Sequence, residues 1–173
     1  MILPRIPFNE WQRIEALHEM DVLNNACEES FDTLAEIAKV LFDVPIALVS
    51  FVDTDRQFFK VRIGLEDRQM ARDISICGHA ILESKPLVIE DTLDDERFFD
   101  NPLVSDGPRL RFYAGAQIRT MDELCVGTLC VADVVPRKPT SVQIKHLELL
   151  ARLGAQLLEP RRQAARAYRM RVA

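Results

Sequence analysis

Seven consecutive β-prone residues, Ile46-Ala47-Leu48-Val49-Ser50-Phe51-Val52, stand between Pro45 and Asp53. A strand with one wet face alternates apolar and polar side chains. This run does not, so it predicts a strand buried on both faces. Each side of its sheet must therefore be covered. Asp53-Thr54-Asp55 follows as a turn cluster. Arg56 to Ile63 reads as a second strand, with Phe58 out of phase with Phe59, Val61 and Ile63, and Gly64 closes the antiparallel hairpin.

Helical patterns flank the sheet. Phe8, Trp11, Ile14, Leu17 and Met20 recur every third residue, with Asn9 as a cap and Gln12 completing a capping box. A second helix begins near Ser30 with the stripe Phe31, Leu34, Ile37, Ala38 and Leu41. It ends before Pro45, because a residue that precedes proline is pushed toward extended geometry. Residues 65–75 read as a loop, Cys77 to Ser84 as a short helix capped by Ser75, and Pro86 to Glu90 as a short strand. Residues 91–111 are loop-like, with one helical turn over 94–99. Phe112 to Thr120 and Leu124 to Asp133 form a second hairpin. A last helix starts at Ser141 behind Thr140, and Pro160 should kink or restart it. Five or six mainly antiparallel strands between helices make an α+β fold.

The chain has 173 residues, 48% of them hydrophobic and 28% charged. That suits one globular core and excludes a collagen-like or wholly disordered chain. No apolar stretch approaches the length of a membrane span. The opening MILPRIPFNEW has neither the apolar core nor the cleavage site of a signal peptide, and four irregularly spaced cysteines suit a reducing cytoplasm. Residues 160–173 hold five arginines and no acid, which leaves 17 basic against 27 acidic residues in 1–159. An acidic body argues against nucleic acid as a partner, and the basic tail reads as a solvated face.

Four strings then carry a resemblance: FDTLAEIAKVLFDVPIALVSFVDTDRQFFK (31–60), RDISICGHAILESKPLVIEDTLDDERFFDNPLV (72–104), RFYAGAQI (111–118) and VGTLCVADVVPR (126–137). In this order and spacing they resemble a GAF domain, of the kind found at the N-terminus of bacterial signalling proteins. Even RIEALHEMDVL (13–23) is similar to that subgroup's lead-in helix. The chain departs from the subgroup at Phe58, where Trp is usual, at Ile76, where an aromatic is usual, at Gln117, where Pro is usual, and in the link NNACEES (24–30). The resemblance implies a six-stranded antiparallel, PAS-like sheet, with the N- and C-terminal helices on one face. On the other face a loop-helix excursion forms a ligand pocket. It also implies residues 1–26 as lead-in helix and link, 27–158 as the domain and 159–173 as a basic helical tail. The family's usual work is small-molecule sensing, here by a domain acting on a partner protein or on an output domain that this sequence does not contain.

Pocket residues expected on this basis are Phe59, Ile76, Cys77, His79, Asp91, Phe98, Arg111, Phe112, Tyr113 and Cys130. Arginine would meet an anion and the rings would stack on a ligand. Cys77 and His79 are two apart and do not share a helix face. Two groups of GAF domains carry a similar Cys/His string. Bilin-binding GAF domains usually place His directly after Cys, whereas Gly78 intervenes here. Free-methionine sulfoxide reductases need a partner cysteine near 101–106, where this chain reads NPLVSD. Cys125 and Cys130, five apart on one strand, are expected on opposite faces as buried small hydrophobes. Neither the acidic loop Asp91, Asp94, Asp95 and Glu96 nor any other cluster has metal-ligand spacing. No cofactor, metal or catalytic residue is expected, and no hallmark enzyme motif is present. Trp11, Ile14 and Leu17, with Leu150, Leu153 and Leu157, suggest a homodimer through the terminal helices. The reading is a cytoplasmic sensory domain with an unknown small ligand. The alternatives are a redox enzyme using Cys77, or a dimerisation scaffold that binds nothing.

Overall fold

A computed structural model describes residues 1–24 and 26–172. Asn25 of the 24–30 link and Ala173 of the basic tail lie outside the described residues. The strands are β1 (Ile46–Val52), β2 (Arg56–Ile63), β3 (Gln69–Ala71), β4 (Leu87–Ile89), β5 (Phe112–Arg119) and β6 (Cys125–Asp133). The helices are α1 (Glu10–Glu19), α2 (Glu29–Phe42), α3 (Ile76–Ala80), α4 (Pro102–Ser105) and α5 (Ser141–Val172). The strands form one antiparallel sheet in the order β3-β2-β1-β6-β5-β4.

β1 lies inside the sheet, and all seven of its residues are buried. Its two faces feed two cores. Ala47, Val49 and Phe51 pack with α1, α2 and α5. Ile46, Leu48 and Val52 pack under the excursion between β2 and β5. The unbroken apolar run thus has the cause its composition implied, a cover on each face.

Strand parity holds except at two bulges. Val49 pairs with Val61 but Ser50 pairs with Phe59, so Lys60 is an extra residue. Phe59 therefore faces the excursion while Val61 and Ile63 face the helices, which corrects the single face expected for all three. Ile118 pairs with Gly127 and Arg119 with Cys125, so Val126 is extra in β6. This bulge brings Cys125 to the same face as Cys130, against the opposite faces expected from their odd spacing.

Other differences are local. The 65–75 loop contains β3 and a 3-10 turn over Arg72–Ile74. The turn expected over 94–99 is preceded by a 3-10 turn at Thr92–Asp94. The short α4 lies within the segment 91–111 that reads as loop. Asn101 caps it, accepting from the Leu103 amide at 2.9 Å, and its side-chain amide donates to the Ile74 carbonyl at 3.0 Å. Asn9 makes no side-chain cap on α1. The apolar series there splits: Leu17 and Met20 are buried, while Phe8 and Trp11 are exposed. A spacing of three falls short of the roughly 3.6-residue turn, so the series winds around the helix.

α5 begins as expected, with Thr140 Oγ1 accepting from the Gln143 amide at 3.2 Å, and runs without a restart through Pro160. Arg166, Arg169 and Arg171 are exposed as expected, but Arg162 is buried and four of the five tail arginines pair with acids. Arg162, with a side chain only 1% exposed, donates to Glu19 at 3.1 Å and Asp122 at 2.7 Å. Arg166 and Arg169 also reach Glu19, at 3.1 and 2.9 Å, and Arg161 pairs with Glu28. The basic tail neutralises acids on α1 and the β5–β6 turn, which ties the two terminal helices together. Among the described residues, no helix is long and apolar enough to cross a membrane.

Candidate functional site

A cavity of about 60 Å³ lies between the sheet and the excursion. Leu48, Phe59, Ile76 and Leu110 give it apolar walls, while Gln57, Cys77, Tyr113 and Cys130 line its deep side. Exposed Asp67, with Leu65 and Pro108, forms its outer rim. Larger hollows, about 710 Å³ along α5 and β5 and about 590 Å³ beside Pro136 and Lys138, are charged surface grooves that hold neither cysteine nor histidine.

The deep wall is organised around one sulfur. Ser75 starts α3 by accepting from the Gly78 amide at 2.7 Å. The Ser75 hydroxyl donates to Gln57 Oε1. With its oxygen so engaged, Gln57 turns Nε2 to Cys77 Sγ and donates at 3.1 Å. The Tyr113 hydroxyl donates to the same sulfur at 3.2 Å, and Ser50 Oγ lies 3.5 Å away with Thr128 Oγ1 3.1 Å behind it. Cys130 Sγ is 3.7 Å from Cys77 Sγ. Gly115 makes the tyrosine placement possible: a Cβ there would lie 2.2 Å from the Tyr113 hydroxyl.

Burial alone would raise the Cys77 pKa. Hydrogen bonds from Cys130, Ser50, Thr128 and Tyr113 outweigh it and lower the value from 9.0 to about 6. Cys130 moves the other way, raised well above its ordinary value by its hydrogen bond to Cys77 and by burial. Burial and the Cys77 charge likewise raise Tyr113, keeping it a donor. The donors around Cys77 thus favour its ionisation, while Cys130 and Tyr113 are shifted toward their neutral forms.

Of the ten expected pocket residues, the structure brings Phe59, Ile76, Cys77, Tyr113 and Cys130 to this cavity. The other five do not line it. Phe112 faces α2, its ring 6.4 Å from Phe42, because neighbouring strand residues point to opposite faces. Asp91 and Arg111 form a two-point ion pair on the outer side of the excursion, with the Arg111 hydrogen bonds lowering the Asp91 pKa. His79 and Phe98 pack edge-to-face at 4.9 Å under the N-terminal segment. Burial lowers the His79 pKa, and the neutral ring donates from Nε2 to the Ile2 carbonyl at 3.0 Å.

Gln57, Ser50 and Thr128 were missed. Ser50 carried a signal: it is the single hydroxyl in a strand buried on both faces, and a buried polar group needs a partner. Gln117, at a position where the subgroup usually has proline, donates to the carbonyls of Ala80 (2.8 Å), Glu83 (3.2 Å) and Lys85 (2.7 Å), closing the far end of α3.

A family model of the GAF domain matches residues 27–158. The chain belongs to the GAF domain family. Solved GAF structures show the same fold. The PixJ GAF domain of Thermosynechococcus elongatus has a TM-score of 0.60 at 16% identity, with 96% of each chain covered. The GAF domain of an Acinetobacter phosphoenolpyruvate-protein phosphotransferase has a TM-score of 0.61 at 14% identity, covering 91% of this chain and 96% of that one. A type II free methionine-R-sulfoxide reductase from Thermoplasma acidophilum has a TM-score of 0.60 at 11% identity, over 80% of this chain and 95% of that one. In sequence, this GAF domain is 40% identical over 154 residues to a cyclic di-GMP phosphodiesterase of Pseudomonas aeruginosa, covering 88% of this chain. It spans about a quarter (26%) of that relative's length.

Proposed function

We propose that this GAF domain is a cytoplasmic sensory module that binds a small ligand in the cavity beside Cys77 and reports through its terminal helices. The cavity itself carries the reading, an apolar chamber with a few convergent polar groups at its deep end. At about 60 Å³ it takes a ligand of only a few heavy atoms. A nucleotide-sized ligand, which needs roughly 300 Å³ or more, would require the excursion to move outward.

A route to the helices runs from α3. Gly78 lies against Pro4, His79 holds Ile2, and the Ile2 amide donates to the Arg97 carbonyl at 3.1 Å. This N-terminal strap leads into α1, which the α5 arginines grip. The reader of the signal is a partner protein or an attached output domain, as suggested by a relative that is a cyclic di-GMP phosphodiesterase. Of the residues expected at a dimer contact, Leu17 and Leu150 are buried in the protein's own core, so we place that contact instead on Leu149, Leu153 and Leu157, which recur every four residues and stay exposed, as does Trp11. Light scattering on the purified chain tests that contact, and a monomer at all concentrations refutes it.

The ligand reading is tested by native mass spectrometry and thermal shift on reduced protein. A ligand at 100 times its Kd is expected to add about 2.7 kcal/mol. Ala132→Val, which fills the cavity, is expected to fold and to abolish that shift. A shift that survives in Ala132→Val moves the ligand elsewhere. A chain that binds nothing in a broad screen is a scaffold.

A further inference from the structure

Two cysteines from distant parts of the chain meet in the cavity wall. Cys77 comes from α3 and Cys130 from β6, and their sulfurs are 3.7 Å apart and unbonded. A disulfide needs about 2.0 Å, a closure that side-chain rotation about both Cα–Cβ bonds can contribute to. The Cys77 sulfur is the acceptor for Gln57 and Tyr113 and lies beside Ser50, a set of donors that favours its thiolate. Both thiols border the cavity, whose rim includes exposed Asp67. A water occupies about 30 Å³ in the liquid, so a chamber of about 60 Å³ admits a molecule of the size of hydrogen peroxide.

The other two cysteines lack this setting. Cys125 donates to the Gly127 carbonyl at 3.6 Å, and burial raises its pKa to about 11. Cys27 is exposed, but its thiol donates to Asp32 at 3.1 Å, which raises its pKa. They serve as internal references for reactivity in the same molecule.

We propose that Cys77 and Cys130 are an oxidant-responsive dithiol, in which a small peroxide entering the cavity oxidises Cys77 and Cys130 resolves the product to a disulfide. In the first step the Cys77 sulfur attacks one peroxide oxygen and the O–O bond breaks. The departing hydroxide leaves as water with the proton that Cys77 had shed, and Cys77 becomes a sulfenic acid. In the second step the Cys130 sulfur attacks the Cys77 sulfur and the S–O bond breaks. The Cys130 proton leaves with the hydroxide as a second water. Two thiols and one peroxide give one disulfide and two waters, and the two electrons lost by sulfur reduce the peroxide. A thiol reductant reverses the change by exchange. Oxidation removes the acceptor that Gln57 and Tyr113 share, so it acts on the position of α3, the helix held by the N-terminal strap.

The inference shares the cavity of the ligand reading but does not need its ligand. The ligand is read by thermal shift on reduced protein without oxidant, so either reading can fail alone.

The test uses the whole reduced chain, treated with one equivalent of hydrogen peroxide, alkylated after denaturation and mapped by peptide mass. The expected product is a Cys77–Cys130 cross-linked peptide with Cys27 and Cys125 alkylated. Cys77 is expected to be lost at least about tenfold faster than Cys27 despite its burial. Prior unfolding in urea should erase that preference. Cys130→Ala is expected to stop at a sulfenic acid on Cys77 that dimedone traps, and Cys77→Ala should leave Cys130 reduced. Should either variant fail to fold, the competition between Cys77 and Cys27 in the unaltered chain decides. Full alkylation of Cys77 and Cys130 while Cys27 oxidises overturns the proposal. So does oxidation of Cys77 to a sulfinic acid with Cys130 still free.

Discussion

At the scale of single residues, the Cys77 sulfur sets the chemistry of the site. Its pKa is about 6 in the folded chain against an ordinary 9.0. Between these values the unfolded chain binds a proton that the native chain does not, so stability rises with pH through this window. It is lost as pH falls through about 6. Urea midpoints at several pH values from 6 to 9 are expected to climb in the unaltered protein, and Cys77→Ala should flatten that part of the slope. Tyr113→Phe removes one donor at 3.2 Å. It should raise the Cys77 titration, followed by thiolate absorbance, and cost about 1–2 kcal/mol where the thiolate is populated. A Tyr113→Phe titration that coincides with that of the unaltered chain would refute this role for the hydroxyl. Little of this was legible beforehand. Cys77 stood out because it follows a capping serine, but its partners come from β1, β2, β5 and β6, and no local pattern reports such a convergence.

At the scale of elements, the sequence was most legible where periodicity alone decides. The β1 run stands where the pattern put it because both of its faces are covered, and α2 and both hairpins lie where they were expected, but the buried face of α2 is Phe31, Leu34, Ala35, Ala38 and Phe42, while Ile37 of the expected stripe is exposed. Reading failed at the bulges. Lys60 and Val126 each add one residue to a strand and reverse the parity beyond it. Lys60 has no glycine or proline beside it to announce its bulge, whereas Gly127, next to Val126, is the kind of strand glycine that marks one. Lys60 bends inward to Glu28, at 2.7 Å, which gives its bulge a partner. A run of like charges likewise conceals its partners: four of the five terminal arginines pair with acids distant in sequence, and one of them, Arg162, is buried. Glu19 is 3% exposed at its side chain and meets Arg162, Arg166 and Arg169. Arg162 already has one buried nitrogen without a partner. Glu19→Ala is therefore expected to cost about 3–5 kcal/mol in urea denaturation, as for a broken buried ion pair. Arg169→Ala, on the exposed edge of the same cluster, should cost no more than about 1 kcal/mol. Equal losses for the two would show that burial does not govern the cluster.

Across the whole molecule, the terminal helices are fastened at both ends of a path that crosses the sheet. Arg13, almost fully buried in α1, binds Glu10 and donates to the carbonyl of Val52 at the end of β1. Arg72, which follows β3, joins the same Glu10 and the carbonyls of Asp53 and Thr54. Ahead of α1 the chain crosses α3, where Gly78 admits it. A Cβ on Gly78 would lie 2.9 Å from Pro4 Cγ and 3.1 Å from Pro4 Cβ, too close for a rigid ring to absorb. Gly78→Ala must therefore lift the strap, while the strand ladders, which pair residues 46–133 with one another, are expected to persist. Backbone amide exchange is expected to rise over residues 2–9 and stay unchanged in β1 and β6, with a global loss of about 1 kcal/mol. Because the strap covers the helix that carries Cys77, alkylation of Cys77 in the folded variant should also quicken. Exchange that rises throughout the sheet would mean that the strap is part of the core. Exchange and alkylation that both stay unchanged would mean that α3 and the strap move independently, which would remove the path from cavity to helices.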